Sequence, residues 1–256
     1  IEDVDTPRVV RGSDQQILQD LETFGFEWDG AVMYQSEQFA RYESRLLGLI
    51  EQGHGYACQC SRKTLREAGA KSGPMGQIYP GKCRTKNLTT TDNSIRINTA
   101  PATAMGFSDR VFGPIELNIR EQVGDFVLRR ADGVYAYHLA VVIDDAQQGI
   151  TQIVRGADLL ESTCLHIYLQ QLLGLHTPEY LHIPLIKNPL GKKLSKQAGA
   201  TAVDTGQAAS LLVSAMRFLG QPVEAGMDRA RPEELINHAV NNWNPASITP
   251  PGVAAD

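Results

Sequence analysis

Between residues 151 and 187 the chain runs a strand, a helix and a second strand in close succession. "TQIVRGAD" reads as a short strand ending in a glycine turn, "LLESTCLHIYLQQLLG" as a helix closed by Gly174, and "YLHIPLI" as a buried strand. Elements in this order commit the segment to an α/β body, because an apolar strand needs helices to cover it.

Upstream, "RGSDQQILQDLETFG" reads as a helix with Ser13 as cap, Gln16 completing a capping box and Gly25 as stop. Ile17, Leu18, Leu21 and Phe24 form its apolar stripe. "SEQFARYESRLLGLIEQG" predicts a second helix, capped by Ser36 and ended by Gly53. Residues 54–60 are strand-like, and 61–93 are polar, basic and without period. Residues 94–130 read as β-rich: "SIRIN", "VFGPIELNI" with a Gly-Pro turn, and "DFVLRR" leading into a turn at 131–133. "YAYHLAVVIDD" fits either a strand or a buried helix. Two helices are expected after Thr205, followed by a fraying tail from Pro245. The expected division is 1–53 and 120–204 for the α/β body, 54–119 for an insert, and 205–256 for a helical C-terminal region.

With 42% apolar residues, the chain of 256 has enough for a core. No apolar run reaches the length of a membrane span and no signal peptide is visible, so the expectation is a cytoplasmic protein with no membrane partner. Four cysteines are too few and too clustered for a secreted disulfide framework. A net charge of −5 excludes a whole-surface nucleic-acid binder, and DNA is not an expected partner.

Against that acidic background, "NPLGKKLSKQ" at 188–197 concentrates Lys192, Lys193 and Lys196 in one loop after the buried strand. A solvated turn is the plain reading. A mobile ammonium that follows a polyphosphate as charge builds is the other. "KLSKQ" resembles the Lys-Met-Ser-Lys-Ser signature of class I aminoacyl-tRNA synthetases, and "YLHIPLIKNPLGKKLSK" is similar to their glutamyl branch. "IEDVDTPR", "CQC…IYPGKCR" and "GVYAYHLAVVIDDAQQGITQIVRGADLLESTCLHIYLQQLLG" match in the same order. The chain is therefore similar, from Ile1 to about Trp243, to the short glutamyl-Q tRNA(Asp) synthetase family. That resemblance implies a Rossmann-type class I catalytic domain with an inserted zinc-containing α+β subdomain and a short helical C-terminal region. It also implies formation of glutamyl-adenylate from ATP and L-glutamate. Glutamate then passes to the queuosine base in the anticodon of tRNA(Asp).

By alignment, the resemblance makes Lys196 the principal catalytic cation, Lys193 its helper, and Lys193, Leu194, Ser195, Lys196 and Gln197 the ATP-contacting loop. Mg2+ is expected with the ATP phosphates, although no residue marks a dedicated site. Glutamate needs an acid for its ammonium and a guanidinium for its carboxylate. Glu2, Asp3 and Asp5 read as ordinary loop carboxylates until the resemblance selects Glu2 for glutamate. Arg155 fits a surface ion pair with Asp158 or a ligand contact, and Tyr137 fits core packing; the resemblance assigns both to glutamate. Asp144 and Asp145 read as helix-edge or turn residues rather than metal ligands.

Cys58, Cys60 and Cys83 in one insert invite structural Zn2+, which wants four soft ligands, whereas three reduced core cysteines is the simpler alternative. Ligand frequency favours His54 as the fourth ligand, while the resemblance implies Tyr79. Cys164 reads as core. Arg62, Lys63, Arg66, Lys71, Lys82, Arg84 and Lys86 make the insert a candidate phosphate-backbone patch, or else a solvated face.

Two departures from the family pattern stand out. The His-Ile-Gly-His type turn that handles ATP phosphates is not in this sequence, and "IEDVD" reads as the end of a strand whose start is absent. The expectation is a fragment whose gene encodes that segment upstream. About sixty residues follow the lysine loop, too few for an anticodon-reading body. The rival readings are a truncated ordinary glutamyl-tRNA synthetase, an inactive zinc and RNA-binding module, and a nucleotidyltransferase acting on a small metabolite.

Overall fold

A computed structural model describes residues 1–187 and 202–250. The helices are α1 (Ser13–Thr23), α2 (Phe39–Glu51), α3 (Arg62–Glu67), α4 (Ile119–Gln122), α5 (Tyr137–Gln147), α6 (Ser162–Leu172), α7 (Ala208–Phe218) and α8 (Pro232–Asn241). The strands are β1 (Gly55–Cys58), β2 (Ser72–Gly73), β3 (Gly76–Gln77), β4 (Ser94–Ile97), β5 (Ala104–Asp109), β6 (Gly113–Asn118), β7 (Val127–Arg129), β8 (Gln152–Gly156) and β9 (Glu179–Ile183).

The strand–helix–strand run at 151–187 folds as β8, α6 and β9, with the two strands parallel and Arg155 opposite His182. This is the only parallel pair of named strands among the described residues; β1–β4–β7, β2–β3 and β5–β6 are antiparallel. At the start of the chain, the Ile1 amino group donates to Met33 O at 2.6 Å and Gln35 N donates to Ile1 O at 3.1 Å. One residue bonding to both neighbours of Tyr34 in this way is the bonding pattern of a parallel ladder.

"YAYHLAVVIDD" resolves as the helix α5, because residues 139–144 are buried all round and such a segment must satisfy its own backbone. It joins α2, α6, β4 and β9 in the main core, where Tyr42, Leu46, Ile95, Leu139, Leu165 and Tyr180 are buried. A small second core of Cys58, Leu65, Tyr79 and Cys83 sits in the insert, and a third joins Leu212 and Val213 of α7 to Leu235 of α8.

Several local expectations give way to tertiary contacts. Ser13 does not cap α1: the N-cap is Gly12 at φ +80°, and the Ser13 hydroxyl donates backwards to Val10 O. Gln16 donates to Asp20 instead of completing a box. None of the α1 stripe is buried, and Ile17 is 50% exposed. Ser36 does not cap α2, which starts at Phe39; its amide and hydroxyl donate to the Asp3 carboxylate at 2.9 and 2.6 Å. The turn before β6 lies at Arg110–Phe112, ahead of the Gly-Pro pair, because Asp109 Oδ1 accepts from the amides of Val111 and Phe112. The tail stays packed as far as Ile248, which is buried. Gly25 and Gly53 do end α1 and α2: each is left-handed, and the next amide reaches back to Leu21 O or Leu49 O.

Candidate glutamate and metal sites

The parallel register sets Arg155 and His182 side by side at the site's centre. Arg155 Nε donates to His182 Nε2 at 3.1 Å. Its Nη2 donates to Thr163 Oγ1 at 2.6 Å and to Leu159 O at 3.4 Å, and its Nη1 meets His166 Nδ1 at 3.1 Å. Thr163 and His166 are three apart on α6, so one helical face supplies both. The guanidinium also lies 5.4 Å from the Tyr180 ring centroid. A cation fastened from three sides is pre-aimed, which lowers the entropy lost when it grips a carboxylate.

Tyr137 opens α5 and Glu2 lies on the N-terminal segment, and both are electrostatically coupled to Arg155. Burial pushes the Tyr137 phenol up while Arg155 pulls it down. Glu2 is exposed in part, and its carboxyl is raised, first by desolvation, against the pull of the chain-terminal ammonium and Arg155. Asp145 is pushed up to about 6 by burial, opposed by Arg155 and assisted by Asp144 and Glu2. Tyr137 and Arg155 both flank His166, at 5.7 Å between ring centroids and 3.1 Å from Nη1 to Nδ1, and Glu2 and Asp145 lie within electrostatic range of Arg155. A cavity of about 310 Å3 is lined by Glu2, Asp144 and Asp145 together with Leu18, Leu21 and Trp28.

Asp144 departs from its expected edge role. It lies in the last turn of α5 but is buried, accepting from Tyr42 at 2.7 Å and from Gln35 at 3.0 Å. Lys193, Leu194, Ser195, Lys196 and Gln197 fall outside the described residues.

In the insert, the sulfurs of Cys58, Cys60 and Cys83 lie within 4.8 Å of one another. Cys60 and Cys83 are 3.6 Å apart, and the Tyr79 hydroxyl is 3.2 Å from Cys58 Sγ and 3.6 Å from Cys60 Sγ. A zinc–sulfur bond of about 2.3 Å implies tetrahedral edges of about 3.8 Å. The three sulfurs and one oxygen therefore fit a four-ligand metal cage. Among the described residues no histidine joins the thiol cluster, so His54 lies outside it, while the Tyr79 hydroxyl lies beside Cys58. Arg96 backs the cage: it donates to Cys58 Sγ at 3.3 Å, and its guanidinium lies 4.2 Å from the Tyr79 ring centroid. Cys164 is buried in the core, where desolvation raises its thiol to about 11.

Arg84 leaves the proposed basic patch, because Asp125 holds it through bonds of 2.8 and 2.7 Å. Arg62, Lys63, Arg66, Lys71, Lys82 and Lys86 are exposed. Sequence reasoning missed Asp109, Thr163, His166 and His182. One available signal was the polar His182 inside the apolar "YLHIPLI"; another was the i, i+3 pair Thr163 and His166.

Residues 1–249 match the family described as tRNA synthetases class I (E and Q), catalytic domain. The chain belongs to that family. Two relatives support the class I synthetase assignment, both called "Glutamyl-Q tRNA(Asp) synthetase". The one from Pseudomonas syringae pv. tomato is 47% identical over 250 residues, covering 98% of this chain and 82% of the relative. The one from Pseudomonas aeruginosa is 48% identical over 248 residues, covering 97% and 82%. The fold resembles that of a solved glutamate tRNA ligase from Elizabethkingia meningosepticum, at a TM-score of 0.74 and 24% identity. That match takes in 97% of this chain, which spans 58% of the solved one. The class I synthetase family makes this chain a ligase with an α/β catalytic domain. Among the described residues no helix is long and apolar enough to cross a membrane.

Proposed function

We propose that the chain activates L-glutamate with ATP as glutamyl-adenylate and transfers it to the queuosine base of tRNA(Asp). The observation that carries the reading is the Arg155 guanidinium held by His182, His166 and Thr163, with Tyr137 against the same His166 and Glu2 within its electrostatic range. A fixed guanidinium suits the side-chain carboxylate of glutamate, and Glu2 suits its ammonium. Tyr137 adds a rigid wall and a hydroxyl. Attack of the α-carboxylate on ATP gathers negative charge on the phosphate, and Lys196, helped by Lys193, supplies the answering cations. Leu194, Ser195 and Gln197 complete that loop, and Mg2+ accompanies the nucleotide.

Cys58, Cys60, Tyr79 and Cys83 would hold Zn2+, which when bound supplies a cross-link between the 58–60 and 79–83 segments of the insert. We read 54–119 as the lobe facing RNA and 205–256 as a helical support, with 1–53 and 120–204 forming the catalytic body. The exposed cations of that lobe suit a phosphate backbone. The acceptor named for the Pseudomonas relatives is the source of the queuosine assignment, and a cytoplasmic location follows from the tRNA substrate.

Glutamate-dependent pyrophosphate exchange in the full-length protein, followed by labelled transfer, tests the reading. Exchange is expected to be largely lost in Lys196→Ala with the fold intact. Label is expected on the modified base. An undiminished exchange rate, or label at the 3′ ribose, overturns the assignment.

A further inference from the structure

We propose that Asp109 and His182 act as positioning residues for Arg155, with Asp109 fixing the tautomer of His182 so that Nε2 presents a lone pair to the guanidinium. The inference rests on the reading of Arg155 as the glutamate-binding cation.

The geometry leaves one consistent assignment of protons. Arg155 Nε–H is a donor, so His182 Nε2, at 3.1 Å, accepts. Nδ1 then carries the ring proton and donates to Asp109 Oδ2 at 2.7 Å. The same oxygen accepts the His182 amide at 3.0 Å, while Oδ1 accepts from Val111 and Phe112 at 2.9 Å each. Every bond to Asp109 named here is thus an acceptor bond, which suits a carboxylate and no neutral amide. Both side chains are fully shielded from solvent, so water offers no substitute partner. The ring of His182 stacks near that of Tyr180, at an interplanar angle of 16°.

A second branch obeys the same rule. Arg155 Nη1 donates to His166 Nδ1, so His166 Nε2–H donates to His138 Nδ1 at 3.0 Å. Arg155 therefore faces neutral imidazole lone pairs on two sides, and these partners set its direction.

Asp109→Asn must turn an amide N–H₂ either towards the two donors of His182 or towards the amides of Val111 and Phe112. In the first orientation the ring proton moves to Nε2, which then opposes Arg155 Nε–H; in the second the turn that holds the carboxamide against His182 loosens, and either way the guanidinium loses its fixed partner. Steady-state pyrophosphate exchange in the full-length protein should show KM for glutamate raised about tenfold in Asp109→Asn and in His182→Ala. KM for ATP should stay unchanged. In the double variant the two effects should not multiply, because both act through one bond. Long-range 1H–15N spectra of the unsubstituted protein should show His182 protonated at Nδ1 and His166 at Nε2, a readout independent of whether the variants fold. An unchanged KM for glutamate in both single variants, multiplicative effects, or a proton on His182 Nε2 overturns the proposal. Arg155→Ala separates the two layers: if it leaves glutamate dependence intact, the glutamate-site reading fails. If it raises KM while Asp109→Asn and His182→Ala do not, the positioning inference alone fails.

Discussion

Arg84 and Asp125 meet fork to fork, Nε to Oδ2 at 2.8 Å and Nη2 to Oδ1 at 2.7 Å, and so tie the segment that follows Cys83 to the residues that lead into β7. The same carboxylate accepts from the amide and hydroxyl of Thr99, both at 2.8 Å, and from the Tyr56 hydroxyl. Asp125 is thus a fully buried hub whose acceptor capacity is in use.

Removing that hub should be costly. Asp125→Ala strands a guanidinium and two hydroxyls, and is expected to lose about 3–5 kcal/mol in urea denaturation. Burial alone would raise this carboxyl, but Arg84, Tyr56 and Thr99 outweigh it and hold it below its ordinary value. A lowered folded pKa gives stability that is complete above the unfolded value, about 3.9, and that disappears as pH falls through the folded one. The parent should therefore lose stability on acidification below about pH 4 more steeply than Asp125→Ala. Parallel slopes for the two proteins would contradict this.

Asp144 predicts the opposite sign. Burial raises its carboxyl against the pull of Tyr42 and Gln35, so the charged form is held at a disadvantage in the folded state. Stability from this group is greatest below about pH 3.9 and declines as pH rises through the folded value. Asp144→Asn removes that dependence. Gln35 Oε1, buried without a partner, can accept from the new amide after rotation. The variant should lie within about 1 kcal/mol of the parent at neutral pH, on the stabilising side, by thermal or urea unfolding.

Gly124 is required by a close approach. At φ +71° it bridges to Tyr79, and a Cβ there would stand 2.3 Å from Tyr79 O. Gly124→Ala is expected to cost about 1–3 kcal/mol and to displace the phenol from the cysteine cage. Loss of bound zinc alongside a lowered melting temperature checks both parts; an unaltered zinc content would break the link between them.

Cys60→Ser should lower zinc content by elemental analysis and loosen the insert. Because the cage lies in the lobe read as facing RNA, transfer to tRNA should fall more than adenylate formation. Equal losses in the two steps would place the insert's role in the catalytic body instead.

Much of this site was readable before any fold was known, and its limits follow from distance along the chain. Helix ends at Gly25 and Gly53, the β8–α6–β9 run and the cysteine spacing are local facts, set by backbone freedom and short-range period. Glu2, Tyr137 and Arg155 were singled out for glutamate through resemblance alone. The ambiguity of "YAYHLAVVIDD" was not local: strand and helix bury that composition equally well, and the surrounding α2 and α6 decide for helix.

The folded chain alone joins Arg155 to His182 across 27 residues, Asp109 to His182 across 73, and Asp144 to Tyr42 across 102. It also turns Arg84 from a candidate RNA contact into an internal anchor and prefers Tyr79 to His54 beside the thiols. Residue type states which bonds a side chain is able to make. Which of them it makes depends on desolvation, since a buried donor or acceptor must find its partner among whatever groups packing brings within 3 Å or so.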